Sequence, residues 1–361
     1  ERQRMSADNV KRLSADDIAD ILTDTGDSGK SLLIFFHKSP DGDAVGSAFA
    51  LKLICASLGI RARCACCDEP APYLRFLYSG QTETKYKDGE ENDFDVLCSV
   101  DTASPVQLGT LSRLSERIDF MIDHHGLGTP YAPVYLEPDY SACGELIYKV
   151  YCCLAARGKL QRSAEIARRL FAAISADTGS FKYSNTTPDT LRTAAELMRE
   201  IDDAADGGKN CAEISRILHD SKTLGALRAE AAAIENLRFA AGGEVAYVVF
   251  TADMMERRGL CEDDLGALID LPRSIEGVAA GFTVKQTLTD RNVFRVSTRS
   301  NTDLNVADIC RKLGGGGHVK AAGATITAES PEAACKAVID LFEEALASDS
   351  GKKTENNEVN V

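Results

Sequence analysis

Four segments in the first third of this chain predict β-strands, and helical segments alternate with them. The run SLLIFFH is continuously apolar, which is typical of a parallel strand buried on both faces. Strands that alternate with helices predict an α/β fold with a mainly parallel sheet flanked by helices. The predicted strands span 31–37, 60–66, 94–100 and 117–123, and the predicted helices span 14–24, 44–59, 141–158, 161–176 and 188–203.

Three of these predicted strands end in residue types that bind metal ions. His37 ends the first strand, Asp101 follows the third, and Asp123, His124 and His125 follow the fourth. In open α/β sheets, ligands bind outside the carboxyl ends of the strands. These sequence-distant clusters are therefore expected to converge on one crevice.

Further carboxylates accompany these strand ends. Asp41 and Asp43 lie in a tight turn with Pro40 and Gly42, and Asp177 follows an apolar helical run. Two imidazoles and four carboxylates exceed the needs of one open catalytic metal, but they suit two divalent ions that share a bridging carboxylate and a bridging water. This mixture favours Mn²⁺, with Mg²⁺, Co²⁺ or Zn²⁺ as alternatives. The candidate ligands are His37, Asp41, Asp43, Asp101, His124 and Asp177.

Each cluster also has a simpler interpretation. An aspartate in a strand-to-helix turn is often a helix cap, Asp177 alone could be a cap or turn residue, and His124 with His125 alone could be a surface pair. Four independent caps, however, need not bring metal-binding side chains to one sheet edge, so the conjunction favours the metal site. His219 has no acidic or glycine-rich neighbours, and a position on a helix surface is expected for it.

The remainder of the chain predicts a second, smaller α/β domain. Its strands are expected at 244–251, 277–290, 292–300 and 322–328, and its helices at 304–313 and 331–347. The predicted organisation is an N-terminal helical segment at 1–29, a first domain at 30–203, a linker with a connecting helix at 204–240, a second domain at 241–347, and a disordered polar tail at 348–361.

The second domain contains a glycine run followed by a histidine, GGGGHVKAAG. Gly314, Gly315, Gly316 and Gly317 lack side chains and permit positive φ, so their N–H groups can approach a phosphate, and His318 can donate to it. Arg299, at the end of a predicted strand, suits bidentate phosphate binding. The alternatives are a flexible turn and a solvated arginine.

Composition narrows the classes of protein and location. The net charge of −14 argues against a protein that coats long nucleic acid. No apolar run reaches about 18 residues, and the N-terminus lacks an apolar signal core, so we expect a cytoplasmic protein without a membrane partner. Most of the twelve cysteines lie in apolar stretches, and the CxxC spacing at 64–67 has no second pair, which predicts reduced, buried thiols.

Taken together, these motifs resemble the DHH phosphoesterases. The spacing His37-x-x-Pro-Asp-x-Asp43-x-x-Gly-Ser, the Asp101 turn, Asp-His-His, Asp177-Thr-Gly, Ser-x-Arg299-Ser and Gly-Gly-Gly-Gly-His318-x-x-Ala-Ala-Gly occur in the order expected for that superfamily. The resemblance covers about residues 30–345. Within the superfamily, the chain is similar to the two-domain nanoRNases with 3′-phosphoadenosine-5′-phosphate (pAp) phosphatase activity.

The resemblance implies specific roles for these residues. One Mn²⁺ would be bound by His37, Asp41 and Asp101, and the other by Asp43, Asp101, His124 and Asp177, with Asp101 bridging the two. His125 would face the substrate phosphate, and Asp123 would orient the histidines. Arg299 and residues 314–318 of the DHH-associated domain would bind the nucleotide end, with the active site in the cleft between the domains.

The function implied is hydrolysis of short oligoribonucleotides to mononucleotides, of pAp to AMP, or of both, by a hydroxide that bridges two metals. The first alternative is hydrolysis of cyclic di-AMP or its linear product pApA. An inorganic pyrophosphatase fits less well, because the glycine run and Arg299 suit a nucleotide. A nucleotide-binding regulator without catalysis would lack a ligand, and none of the six is missing. A homodimer is one arrangement that the sequence leaves open.

Overall fold

The chain divides into two units, Glu1–Ser221 and Lys222–Val361, in a computed structural model. The structure describes residues 10–78, 81, 83–204 and 206–358; at 263, 267 and 348–358 it describes the backbone alone. The division falls inside the segment 204–240 that was predicted to be a linker. Of the predicted N-terminal segment, residues 1–9 lie outside the described part. Across the described residues, no helix is long and apolar enough to cross a membrane.

The first unit contains a six-stranded sheet in which every pair of neighbours is parallel. Its strand order is β1-β6-β5-β4-β2-β3. The four predicted strands are confirmed as β2 to β5, whereas the short outer strands β1 and β6 were not predicted. The strands are β1 (Arg12–Leu13), β2 (Leu32–Phe35), β3 (Ala62–Ala65), β4 (Val96–Val100), β5 (Phe120–Asp123) and β6 (Val134–Leu136).

Both faces of this sheet are buried. In β2, Leu32 and Ile34 pack into the larger core with the helices, whereas Leu33 and Phe35 pack on the opposite face against a 3-10 segment at Pro105–Arg117. This alternation explains why the strand has a continuous apolar sequence. The helices are α1 (Ala15–Asp27), α2 (Gly42–Ser57), α3 (Cys143–Ala156), α4 (Ala164–Asp177), α5 (Pro188–Asp202) and α6 (Cys211–Ser215).

Glycine permits close packing of α2 against α4. A Cβ atom on Gly46 would lie 2.7 Å from the carbonyl oxygen of Arg169, and one on Gly42 would lie 2.5 Å from Cβ of Ala176. Both contacts are shorter than van der Waals packing permits, so a larger residue at either position would force the helices apart. This packing brings the first turn of α2 close to the last turn of α4, where Asp177 lies.

The second unit contains a mixed six-stranded sheet. Its order is β11-β12-β10-β9-β8-β7, and the neighbours are antiparallel except for β8 and β9. One face packs against α10 and α11, and the β8 region of the other face packs against α7 and a 3-10 segment at Glu262–Ile269. The strands are β7 (Arg238–Ala240), β8 (Val245–Phe250), β9 (Ala280–Gln286), β10 (Val293–Ser300), β11 (Gly316–His318) and β12 (Ala321–Thr327), and the helices are α7 (Leu224–Glu235), α8 (Ala252–Arg258), α9 (Asp270–Arg273), α10 (Val306–Lys312) and α11 (Pro331–Glu358).

Three segments differ from the predictions. The segment 204–240, predicted as a linker with one connecting helix, contains α6, a π-helical turn at Arg216–Asp220, α7 and β7. The final helix was expected to end at residue 347, but α11 continues to Glu358, because no proline follows Pro331 to interrupt it. Residues 359–361 of the predicted disordered tail lie outside the described part.

The glycine run also differs from the expected loop. Gly316–His318 forms an antiparallel edge strand with β12, so the loop is limited to Gly314 and Gly315. Gly317 has a φ of 143°, and a Cβ atom there would lie 2.6 Å from the carbonyl oxygen of Ala321. Both facts favour glycine at this position, so the run permits close strand pairing as well as a turn.

Candidate metal centre

The structure brings the six predicted metal ligands to the carboxyl edge of the first sheet. His37 follows β2, Asp101 follows β4 and His124 follows β5, while Asp41 and Asp43 lie where α2 begins. Asp177 is the last residue of α4. Because the strands are parallel, these positions share one edge, which explains how residues far apart in sequence come together.

The first group of side chains comprises His37, Asp41 and Asp101, whose ligand atoms all lie within 4.8 Å of one another. Nε2 of His37 lies 3.6 Å from Oδ1 of Asp41 and 3.5 Å from Oδ2 of Asp101. Asp41 is also the N-cap of α2, since its Oδ1 accepts the N–H groups of Asp43 and Ala44 at 3.0 Å. The capping interpretation is thus correct for Asp41, and the same carboxylate contributes to the group.

The second group comprises Asp43, His124 and Asp177. Nε2 of His124 lies 3.3 Å from Oδ2 of Asp177 and 3.8 Å from Oδ2 of Asp43. Asp177 ends its helix and does not cap the start of one, so the cap interpretation does not apply to this residue.

Asp101 belongs to the first group and, with His124 and His125, to a third group, which shares His124 with the second. Its Oδ2 lies near His37, and its Oδ1 lies 3.6 Å from Nε2 of His124 and 3.6 Å from Nδ1 of His125. The side chain is buried, and Oδ1 has no hydrogen-bond partner, although a buried carboxylate oxygen normally requires one. Asp101 has a φ of 57°, a conformation that non-glycine residues rarely adopt. A strained, buried carboxylate between two imidazoles is well placed to bind two cations.

Backbone carbonyl groups set the orientation of both ligand imidazoles. Nδ1 of His124 lies 3.2 Å from the carbonyl oxygen of Tyr140, and Nδ1 of His37 lies 2.7 Å from that of Lys38. A carbonyl oxygen only accepts, so each Nδ1 carries a proton and each Nε2 faces the carboxylates. With Nε2 deprotonated, this is the tautomer that binds a metal through Nε2.

His125 differs from the other two histidines. Its Nδ1 lies 2.7 Å from Oδ1 of Asp123, which is buried. Burial opposes protonation of His125, but the hydrogen bond to Asp123 and the charge of Asp101 outweigh it and raise the pKa to about 9. Of the described histidines, His125 is the one that hydrogen-bonds to Asp123. The predicted orienting role of Asp123 therefore concerns His125.

The closely spaced carboxylates of the centre require a compensating positive charge. Burial, and then the charge of Asp101, raises the pKa of Asp43 to about 7. Burial and the neighbouring carboxylates also raise the pKa of Asp177 well above its usual value. Burial opposes protonation of His37, yet Asp101 and Asp41 raise its pKa to about 11. Closely spaced buried carboxylates are costly without a counter-charge, and divalent cations supply it. The centre is therefore suited to divalent metal ions.

Several supporting residues were not predicted. The backbone N–H groups of Cys143 and Gly144, at the start of α3, donate to Asp43 at 2.6 and 3.0 Å. Nδ2 of Asn185 donates to the carbonyl oxygen of Asp177 at 3.1 Å. The contacts of Cys143 and Gly144 join segments about 100 residues apart, so no local signal in the sequence identifies them.

His219 was expected on a helix surface, and it lies on a helical turn with part of its side chain exposed. His219 is half-buried on the π-helical turn Arg216–Asp220, and its Nε2 lies 3.0 Å from Oγ of Ser175 in α4. Burial lowers its pKa. The contact joins this turn to the helix that carries Asp177.

The predicted substrate-binding residues lie in the second unit. Arg299 of β10 and His318 of β11 both pair with Ala321 of the intervening strand β12, so they occupy one row of the sheet and point to the same face. Gly316 lies in the next row on this face, opposite Gly323. The sheet thus brings Arg299, His318 and part of the glycine run together.

Both units match known domain families. Residues 31–174 match the DHH family, N-terminal domain, and residues 242–344 match the DHHA1 domain. The crystal structure of an exopolyphosphatase-related protein from Bacteroides fragilis has a TM-score of 0.79 and 20% sequence identity, covering 91% of this chain and 95% of that one. At this level of identity, the similarity shows a shared fold.

Two relatives are similar along most of their length. The bifunctional oligoribonuclease and PAP phosphatase NrnA of Thermus thermophilus is 30% identical over 318 residues, which are 87% of this chain and 90% of that protein. The protein of the same name from Bacillus subtilis is 28% identical over 299 residues, or 82% and 89% of the two chains. Since both domains also match in the predicted order, the chain belongs to the DHH family of phosphoesterases, as its motifs indicated.

Proposed function

We propose that this protein hydrolyses short oligoribonucleotides to mononucleotides and pAp to AMP. The observation that carries the proposal is the position of Asp101, which belongs to one ligand group with His37 and Asp41 and to another with His124 and His125. The name of the relatives from Thermus thermophilus and Bacillus subtilis supports the choice of substrates. The net charge of −14 favours short over long nucleic acid, because a long strand needs a broad basic surface.

We propose that two divalent ions bind the centre, and that both are Mn²⁺. Oxygen ligands with imidazole suit Mn²⁺, and Mg²⁺ or Co²⁺ are the alternatives. When bound, the ions would lower the pKa of a water molecule and offset the negative charge on the phosphate oxygens. One ion would be held by His37, Asp41 and Asp101, and the other by Asp43, Asp101, His124 and Asp177.

The side chains beside the ligands would bind and orient the phosphate. The hydrogen bond to Asp123 occupies Nδ1 of His125, so Nε2 is the atom left to donate to a phosphate oxygen. Asp123 is a positioning residue in this scheme, because it acts through His125. In the second unit, Arg299, His318 and the glycine run from Gly314 to Gly317 would bind the nucleotide end of the substrate.

A parallel assay tests the proposal. The purified protein with Mn²⁺ is offered pAp, a 5′-phosphorylated dinucleotide, a longer RNA and cyclic di-AMP, and EDTA provides the metal-free control. We expect release of phosphate from pAp and mononucleotides from the dinucleotide, with slower turnover of the longer RNA and of cyclic di-AMP. Preference for cyclic di-AMP would reassign the substrate, and binding of pAp without turnover in Mn²⁺ would identify a regulator.

We also propose a cytoplasmic location and a homodimer. Cell fractionation with an antibody against the full chain tests the location. Size-exclusion chromatography with light scattering tests the oligomeric state.

A further inference from the structure

One face of the second sheet carries cationic side chains outside the row of Arg299 and His318. Along β10, Phe294 and Val296 are buried in the core, so the alternate residues Arg295, Ser297 and Arg299 point to the opposite face. Arg295 is exposed, whereas Ser297 and Arg299 are half-buried. The strand therefore presents two guanidinium groups on the same face.

The neighbouring strand adds a third positive charge. Lys285 of β9 is the direct antiparallel partner of Arg295, so their side chains leave the same face of the sheet side by side. Burial, and then the charges of Arg295 and Arg299, lowers the pKa of Lys285 to about 8. Nζ of Lys285 donates to the carbonyl oxygen of Leu265. Like charges directly opposite each other destabilise a sheet, so this pairing has a cost that a bound anion would offset.

A cavity lies beside this pair. It has a volume of about 180 Å³ and is bounded by the sheet and by the 3-10 segment Glu262–Ile269. Of its lining residues whose side chains the structure describes, Glu262 is the one with a carboxylate, and its Oε2 lies 2.8 Å from Nη1 of Arg295. Among these described side chains, Lys285 and Arg295 thus outnumber the carboxylate by two to one, in a chain whose net charge is −14.

The same residues border the glycine run. Arg295 and Ser297 also line a second cavity, of about 460 Å³, together with Gly314 and Gly315. The two cavities therefore share Arg295 and Ser297, which connects the cationic pair to the surface expected to bind the nucleotide end. An anion in the smaller cavity would meet Lys285, Arg295 and the hydroxyl group of Ser297.

We propose that Lys285 and Arg295 bind a phosphate group of the substrate other than the one that is hydrolysed. They thereby select linear nucleotides that carry a terminal phosphate, such as pAp and 5′-phosphorylated dinucleotides, over nucleotides that lack one. A terminal phosphate carries a charge of about −1.5 to −2 at neutral pH, so it offsets the repulsion between the two cations. This inference rests on the proposed function and names the substrate class more narrowly.

The test compares pApA with ApA, which lacks the 5′-phosphate, in the full-length protein with Mn²⁺. In K285M and R295M we expect KM for pApA to rise about 10- to 100-fold, with kcat and the turnover of ApA nearly unchanged, because each variant loses one charge-assisted contact. E262Q removes the competing carboxylate and should lower KM for pApA. The matched control is R311M, since Arg311 is an exposed arginine on α10, which packs against the other face of the sheet.

A binding experiment separates this inference from the proposed function. Calorimetry with pApA and ApA in EDTA needs no turnover, so it remains informative if no phosphoesterase activity is found. The wild type should bind pApA more tightly than ApA, and K285M and R295M should lose that preference. An undiminished preference in both variants, or equal binding of the two ligands by the wild type, would overturn the inference. If R295M does not fold, the other two variants still test the inference, because KM for pApA should rise in K285M and fall in E262Q.

Discussion

Oγ of Ser47 donates to Oδ1 of Asp43 at 2.8 Å, one helical turn further along α2. Together with the N–H groups of Cys143 and Gly144, this hydroxyl group holds a fully buried carboxylate in one orientation. Oδ2 of Asp43 then lies 3.8 Å from Nε2 of His124. Asp43 was predicted as a ligand from the sequence, but its position depends on three hydrogen-bond donors that were not predicted.

Substituting Ser47 tests this support. We expect S47A to weaken Mn²⁺ binding about 10- to 100-fold, because the carboxylate of Asp43 loses a partner that orients it. The free energy of unfolding without metal should fall by about 1 kcal/mol, the typical value of one hydrogen bond. Calorimetric titration with Mn²⁺ and urea unfolding give the two quantities. S57A is the matched control, since Ser57 lies on the same helix and its Oγ donates to the carbonyl oxygen of Leu53.

Asp101 should be necessary for activity and should also stabilise the metal-free protein. D101N retains the shape of the side chain but removes a buried charge that raises the pKa of His37 and His125. We expect turnover to fall more than about 100-fold, because metals contribute several kcal/mol of charge stabilisation. In EDTA, Tm should fall below that of the wild type, because the two imidazoles lose the charge of a buried partner.

Metal addition completes the test of Asp101. At a Mn²⁺ concentration of about 100 times Kd, the wild type should gain about 2.7 kcal/mol of stability, and D101N should gain much less. The control variant is D189N, which changes an exposed aspartate on α5. Retained activity in D101N, or the same increase of Tm with Mn²⁺, would contradict the shared-ligand assignment.

The ion pair between Arg168 and Asp206 should make stability depend on acidic pH. Two hydrogen bonds from the buried guanidinium of Arg168 are the main reason that the pKa of Asp206 falls from 3.8 to about 2. The folded-state pKa is depressed, so the contribution is complete above about pH 4 and disappears as pH falls towards 2. The urea midpoints of the wild type and D206N should therefore differ at pH 6 and converge near pH 2. D203N, at a nearby exposed aspartate, should show no such convergence.

The parallel strands and the metal cluster could be predicted because both follow from local patterns. An apolar run such as 31–37 indicates a buried strand, and the residues after parallel strands meet at one edge whatever the order of the strands. His37, Asp101 and His124 could thus be grouped without knowledge of the topology. Both the DHH fold and the α/β character of the second unit were confirmed in this way.

Features that depend on pairing between distant segments could not be predicted. The row of Lys285 and Arg295 exists only because β9 and β10 pair in one register, and a shift by one residue would place the two side chains on opposite faces. The contact between His219 and Ser175 likewise depends on a π-helical turn that composition does not indicate. These relationships arise from tertiary packing, which one-dimensional patterns do not specify.

The close packing of α2 against α4 should control the metal centre from outside it. A Cβ atom on Gly46 would lie 2.7 Å from the carbonyl oxygen of Arg169, which is backbone and cannot rotate away. We expect G46A to lower the free energy of unfolding by about 1–3 kcal/mol through overpacking, and to weaken Mn²⁺ binding as the ends of the two helices separate. In G266A the added Cβ has open space, so stability should change little. Urea unfolding and Mn²⁺ titration of both variants decide the matter: unchanged metal affinity in a destabilised G46A would show that the centre tolerates helix displacement.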